Sequence, residues 1–227
     1  AKIVAISHSV AESYLRRYHL PKDKMQVVYN GTDLHRFIPH PAHTDTPLRL
    51  IYVGRIIRDK GIDLLLEALA ACPTDTPITL TLVGSDHGGY TEQMQALAAR
   101  LHLEDKVQFL GSRTDVPQLL QAADLFVHPA TCQEGFGITL IEAMASGVPC
   151  LAFPKGAIPE IIGPEIDGFL TEEVSAAALT AGINRALELF TKAPHHWHTL
   201  CKNARQKAEL FSIERTVAQL ETLYREQ

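Results

Sequence analysis

The segment LFVHPATCQEGFGITLIEAMASGVPCLAF, Leu125–Phe153, decides the architecture. It opens on a short apolar run, Leu125–His128, and breaks into a loop with Gly135 and Gly137. It then enters a nearly all-apolar helical stretch, Ile138–Ala145, and closes on a second apolar run, Pro149–Phe153. A strand, a helix and a strand in so short a span predict a parallel crossover. The strand runs are continuous rather than alternating, which suits a sheet covered on both faces. Two carboxylates mark the unit. Glu134 precedes the Gly135-Phe136-Gly137 turn, and Glu142 lies eight residues later among Ile141, Ala143, Met144 and Ala145. A carboxylate there must be paired, hydrogen-bonded or protonated. A ribose diol can donate both hydroxyls to it; a salt bridge to a buried Arg or Lys is the other reading.

The same alternation extends outward. Further strands are predicted at Ile3–Ile6, Met25–Tyr29, Leu48–Val53, Ile78–Val83 and Val107–Leu110. Helical spacing marks Ile62–Ala71, Thr91–Leu101 and Val116–Ala123 between them. Such alternation predicts an α/β fold, a Rossmann-like parallel sheet with helices on both faces. After Phe169–Leu170 the pattern becomes helical, over Ala176–Leu189, His196–Ala208 and Ile213–Tyr224, with Ser175 and Ser212 as N-caps. The Pro-, His- and Thr-rich stretch Pro39–Pro47 reads as a loop or boundary. The chain starts directly on the strand-like AKIVAIS, which reads as a piece of a longer protein.

Composition excludes several classes. A net charge of −5 over 227 residues argues against a dedicated nucleic-acid binder, which carries a basic stripe. No apolar run approaches the roughly 20 residues that span a bilayer. Cys72, Cys132, Cys150 and Cys201 are scattered without a C-x-x-C pair, so reduced thiols in a cytoplasmic protein are expected. His195, His196 and His198 flank Trp197 with no carboxylate or cysteine at matching helical spacing, and no metal site is expected there.

In an open parallel sheet, ligands bind beyond the carboxyl ends of the strands. Four strand exits carry candidate residues. At YVGRIIRDKG, Gly54 permits close backbone approach, and Arg55 and Lys60 beside a helix start form an anion site or a solvated loop paired through Asp59 or Asp63. LVGSDHGGY is glycine-rich but is neither G-x-G-x-x-G nor a P-loop, so it reads as a flexible loop or a ligand contact. In FLGSRTDV, Asp115 is expected to cap the next helix, and Arg113 faces a ligand or solvent. In EGFGIT, Gly135 and Gly137 free backbone N–H groups to line a helix start, which suits phosphate or sugar hydroxyls. A fifth exit, KGAIPEIIG, again sets a glycine turn before a short helix, with Pro159 near its start.

Taken in order, VVYNGTDLHRF, YVGRIIRDKGIDLLLEAL, VQFLGSRTDVPQLLQAADLFVHPA, the E-x7-E segment EGFGITLIEAMASGVPCLAF, GAIPEIIGPEIDGFL and FSIERTVAQLETLYRE resemble glycosyltransferase family 4, retaining enzymes of the GT-B fold. The resemblance covers nearly the whole chain. It implies two Rossmann-like domains flanking an active-site cleft, of which this chain is the C-terminal, donor-binding one. Residues 1–20 would then be the tail of the N-terminal acceptor domain, 21–210 the donor domain, and 211–227 a helix that packs back towards the missing half. It also implies roles. Arg55 and Lys60 hold the donor diphosphate, with Gly54 beside them. Glu134 and the backbone of Gly135, Phe136, Gly137 and Ile138 hold the transferred sugar. Thr139 meets phosphate, Glu142 takes the ribose hydroxyls, and Ser112 and Arg113 receive the base. Glu134, Arg55 and Lys60 are the expected catalytic set, with no metal and no cofactor.

The chain departs from the family's usual G-G-x-P-E, reading Lys155-Gly156-Ala157-Ile158-Pro159-Glu160, and from its G-D-G-P loop at Gly84–Tyr90. The activity implied for the full protein is hexosyl transfer from a nucleoside diphosphate sugar, UDP-sugar favoured, to an acceptor hydroxyl on a sugar or glycolipid. The setting is cell-surface polysaccharide or lipopolysaccharide assembly at the inner face of the cytoplasmic membrane, with any peripheral membrane contact made by the missing domain. The fragment alone is expected to bind donor without turnover. A non-catalytic nucleotide-sugar-binding module and a GT-B-type sugar-nucleotide epimerase stay open as alternatives.

Overall fold

The computed structural model describes residues 2–39, 46–73, 75–86 and 88–225. The elements run β1 (Ile3–Ala5), α1 (His8–Tyr18), β2 (Met25–Val27), β3 (Leu48–Val53), α2 (Ile62–Ala70), β4 (Ile78–Val83), α3 (Tyr90–Arg100), β5 (Val107–Gly111), α4 (Val116–Gln121), β6 (Leu125–His128), α5 (Ile138–Ala145), β7 (Cys150–Ala152), α6 (Ile158–Ile161), β8 (Gly168–Leu170), α7 (Ala176–Lys192), α8 (Pro194–Ala208) and α9 (Ile213–Arg225). Most of the boundary expected at Pro39–Pro47 lies outside the described residues.

Six strands form one parallel sheet in the order β5-β4-β3-β6-β7-β8. The first strand of this sheet, β3, sits in the middle. The chain moves outward to β4 and β5, returns to the other side of β3 as β6, and continues to β7 and β8. This is the doubly wound Rossmann order, and its switch point falls between β3 and β6. The three-residue β8 escaped sequence reading because Phe169 and Leu170 are too short a run to separate from the helical region that follows. β1 and β2 pair with each other in a separate two-stranded parallel sheet.

The pleat explains why the strands read as unbroken apolar runs. On one face, Leu48, Leu50 and Tyr52 of β3, Leu125 and Val127 of β6 and Leu151 of β7 pack against α2, α3 and α7. On the other, Ile51, Phe126, Cys150 and Ala152 pack against α4, α5 and α6. Successive side chains point to opposite faces, and both faces are covered. Helix α8 wraps from one layer to the other. Its Trp197 and Leu200 join the first core, with Trp197 edge-on to Phe190 at 5.5 Å, and its Ala204 and Ala208 join the second.

Local chemistry sets the helix ends. Ser175 accepts from the Ala178 amide at 3.1 Å and Ser212 from the Arg215 amide at 3.3 Å, so both expected caps are made. Asp115 behaves differently. It holds the N-cap position of α4, but its carboxylate turns to Arg113, which donates through Nε at 2.8 Å and Nη2 at 2.6 Å. A bidentate charge-assisted pair two residues away outcompetes a neutral amide.

Candidate functional site

Three loops meet at the carboxyl end of the sheet, at the switch point. The first leaves β3. The Tyr52 hydroxyl, on a buried side chain, donates to the Arg55 carbonyl at 2.7 Å and ties the exit down. Any side chain at Gly54 would meet that hydroxyl at 2.7 Å, so Gly54 is required by the protein's own packing. A 3-10 turn over Arg58–Lys60 then leads into α2. Gly61, at φ +64°, presses against the second loop, where a Cβ would stand 2.1 Å from the Pro129 carbonyl oxygen. The Asp59 carbonyl accepts from the amides of Thr131 at 3.0 Å and Cys132 at 3.4 Å. These contacts carry Lys60 to the exit of β6.

The second loop runs from β6 to α5 and holds Glu134. The Lys60 ammonium donates to Glu134 Oε2 at 2.6 Å, and His128 Nε2 contacts the same oxygen at 3.2 Å. Both contacts fall on Oε2; Oε1 has no partner among the described residues. The hydrogen bond from His128, with the Lys60 ammonium, holds the Glu134 carboxyl at about 2 against burial, so it is ionised at neutral pH. Burial pushes the His128 imidazole down, which keeps it neutral and assigns the proton to Nε2. Its Nδ1 is fully buried and unpartnered among the described residues.

The third loop, between β7 and α6, braces the second. Gly156, at φ +61°, lies so close to Glu134 that a Cβ would stand 2.1 Å from the Glu134 carbonyl oxygen. That carbonyl accepts from the Ala157 amide at 2.9 Å. Gly156 therefore keeps the first glycine of the family's usual G-G-x-P-E for a steric reason, while Ala157 stands where the second glycine would be.

Together these loops enclose a cavity of about 340 Å³. Val53 at the end of β3, Gly54 just after it, Lys60, His128, Glu134 and the run Gly135–Thr139 line it, with Ile6 and Asn30 from the chain's first segment. The amides of Gly135, Phe136, Gly137, Ile138 and Thr139 have no acceptor among the described residues. The last two are the unpaired first amides of α5, which every helix leaves open. A cation, a fixed carboxylate and a run of free amides at a helix start can hold a phosphate at one end and polar hydroxyls at the other.

The residues singled out from the sequence divide into four places. Lys60, Glu134 and the 135–139 run share the cavity with Gly54. Exposed Arg55 lines an adjoining cavity of about 460 Å³ with Arg58, Ser85, Asp86 and Tyr90 rather than the one that Lys60 lines. Asp86 also caps α3, accepting from the amides of Tyr90 and Thr91 and from the Thr91 hydroxyl, so the glycine-rich loop is organised by its own carboxylate. Ser112 sits at the tip of β5 with its hydroxyl 3.2 Å from that of Ser85, and Arg113 is engaged by Asp115. Glu142 faces neither cavity. It is half-buried, its carboxylate has no hydrogen bond or ion pair among the described residues, and that carboxyl is pushed up by burial against a weaker pull from Arg36. The salt bridge that sequence reading offered for Glu142 is therefore not made among them. His128 was overlooked; a histidine closing an otherwise apolar central strand, at its carboxyl end, is the signal that marks it.

Comparison with known proteins agrees with this layout. The family model for glycosyl transferases group 1 matches residues 36–207. The chain is 30% identical to N-acetyl-alpha-D-glucosaminyl L-malate synthase of Bacillus anthracis, over 98% of its own length and 58% of the relative's. It is 30% identical to D-inositol 3-phosphate glycosyltransferase of Salinispora tropica, over 99% and 51%. Among solved structures, Anabaena HepE in complex with UDP-glucose superposes with a TM-score of 0.88 at 27% identity, covering 100% of this chain and 64% of that one. A glycosyltransferase from Rickettsia africae superposes at 0.91 with 25% identity, covering 99% and 63%. The chain thus spans about half the length of the curated relatives it matches. With the doubly wound sheet and the loops at its switch point, these matches place the chain in the glycosyl transferases group 1 family, with the fold of one half of a GT-B enzyme.

Proposed function

We propose that this chain is the donor-binding half of a retaining glycosyltransferase that uses a nucleoside diphosphate sugar, with UDP as the favoured nucleotide. The observation that carries the reading is the cavity at the β3/β6 switch point, where Lys60, an ionised Glu134 and five free amides converge. The likeness to a neighbour bound to UDP-glucose supports the choice of ligand. Residues 1–20 and 211–227 would face the acceptor-binding half, and 21–210 would hold the donor.

In the full protein, the bond between the anomeric carbon and the diphosphate oxygen breaks. The acceptor hydroxyl oxygen bonds to that carbon on the same face and passes its proton to the departing diphosphate oxygen. Negative charge grows on the leaving diphosphate, where Lys60, Arg55 and the helix-start amides stabilise it. Glu134 orients the sugar through Oε1, held from behind by His128. Lys60 is then shared between Glu134 and the diphosphate. The Glu142 carboxylate, half-buried and without a protein partner among the described residues, receives the ribose diol. Retention, the hexosyl unit and a role in cell-surface polysaccharide assembly rest on the family resemblance.

Calorimetric titration of the 227-residue chain with UDP-, GDP- and ADP-glucose tests the reading. One of them should bind saturably, and Glu142→Ala and Lys60→Ala should each weaken it about tenfold or more, the loss of a charge-assisted hydrogen bond. Absence of binding to all three, or unchanged affinity in Glu142→Ala, contradicts the assignment.

A further inference from the structure

The start of α1 is built into the back of the site loop. Ser7 is fully buried and caps α1, accepting from the Val10 amide at 3.1 Å. Its own hydroxyl donates to the Gly135 carbonyl at 2.8 Å, 128 residues away in sequence. The next two amides of α1, His8 and Ser9, donate to opposite oxygens of Glu160 at 2.9 and 2.8 Å. The Tyr29 hydroxyl donates to Glu160 as well, at 2.9 Å, and burial with the adjacent carboxylate pushes that phenol up to about 12, so it remains a donor. Glu160 belongs to α6, whose lead-in residues Gly156 and Ala157 already grip the Glu134 carbonyl. Helix α1 is thus held between the site loop and α6 by side chains that do not themselves line the cavity.

Peptide planarity converts this grip into site geometry. In a trans peptide the carbonyl and the following N–H point in opposite directions. Fixing the Glu134 carbonyl on Ala157 sets the direction of the Gly135 amide. Fixing the Gly135 carbonyl on Ser7 sets that of the Phe136 amide. Both amides are in the partner-free run that lines the cavity. Glycine at 135 leaves these peptides free to rotate unless something outside the loop holds them.

We propose that Ser7 and Glu160 are positioning residues: a clasp in which Glu160 docks the first turn of α1 so that the Ser7 hydroxyl orients the Gly135–Phe136 peptide towards the donor diphosphate, rather than only towards the transferred sugar as the family resemblance implies. The inference rests on the donor-site reading above. Because the two side chains act in series, their effects on the ligand are not additive.

The test is titration of the 227-residue chain with UDP and with UMP, in wild type, Ser7→Ala, Glu160→Gln and the double variant. Each single change should lower affinity for UDP about three- to tenfold, the worth of roughly one hydrogen bond. Affinity for UMP should move less than about twofold, because the outer phosphate is the group the oriented amides serve. The double variant should lose no more than the weaker-binding single. Tyr29→Phe, which removes one holder of Glu160 and keeps the ring, should fall between wild type and Glu160→Gln, and it replaces Glu160→Gln should that variant not fold. A UDP-to-UMP affinity ratio equal to wild type in folded Ser7→Ala, or equal losses for both nucleotides, overturns the clasp. A wild type that binds neither nucleotide overturns the donor-site reading itself.

Discussion

Glu134 and Glu142 are eight residues apart and have opposite electrostatic surroundings. Glu134 is ionised because Lys60 and His128 both reach Oε2. Glu142 has only burial acting strongly on it, so its carboxyl is pushed up. A carboxyl raised in the folded state destabilises the fold once it ionises. The penalty is absent below the unfolded value, near 4.5, and is complete above the raised folded value. Glu142→Gln should therefore raise Tm at pH 7 by about 1–3 °C, and the gain should vanish below pH 4.5, as thermal scans across pH would show. A gain that persists at low pH would mean that the charge is not its source. A residue that weakens the fold, and that the proposed reading gives to a ligand, is where sequence and packing rules are expected to part. That conflict was visible in the sequence as a carboxylate among Ile141, Ala143 and Met144. The Lys60–Glu134 pair was not, because it closes over 74 residues and depends on how two loops dock.

At the level of elements, periodicity located the long strands and helices, since an apolar run of six residues or an amphipathic stretch of ten has few alternative readings. It missed β8, three residues long, and it could not give the strand order, which is a matter of tertiary pairing. Helix α9 shows what pattern alone leaves open. Ile213, Val217 and Tyr224 are exposed and no residue of the helix is fully buried. Its first turn nevertheless docks firmly. The Ile213 amide donates to the Thr32 carbonyl at 3.0 Å and the Thr216 hydroxyl to the Tyr29 carbonyl at 2.9 Å. Having little core to lose, a chain ending after Ser212 should unfold cooperatively and bind UDP within about twofold of the longer chain, since contacts far from a site seldom couple to it. A loss of cooperative unfolding in calorimetry would show that α9 is integral to the donor domain.

For the molecule as a whole, the doubly wound order places the end of β3 beside the end of β6, and the proposed donor site is built on that adjacency. One loop brings a cation, its neighbour a carboxylate and free amides, and α1 with α6 holds them from behind. The cavity beyond β8, lined by Pro164, Glu165, Thr171 and Arg185, is of comparable size but has no such convergence. The two cavities give different fingerprints in solution. Backbone amide shifts of the labelled 227-residue chain, followed by NMR during a UDP-glucose titration, separate them. Saturable shifts at Gly135, Phe136, Gly137, Ile138 and Thr139, with smaller ones at Lys60 and Glu142, are the expected result. Unmoved amides over Gly135–Thr139, or shifts confined to residues 164–185, would contradict a donor site at the β3/β6 switch point.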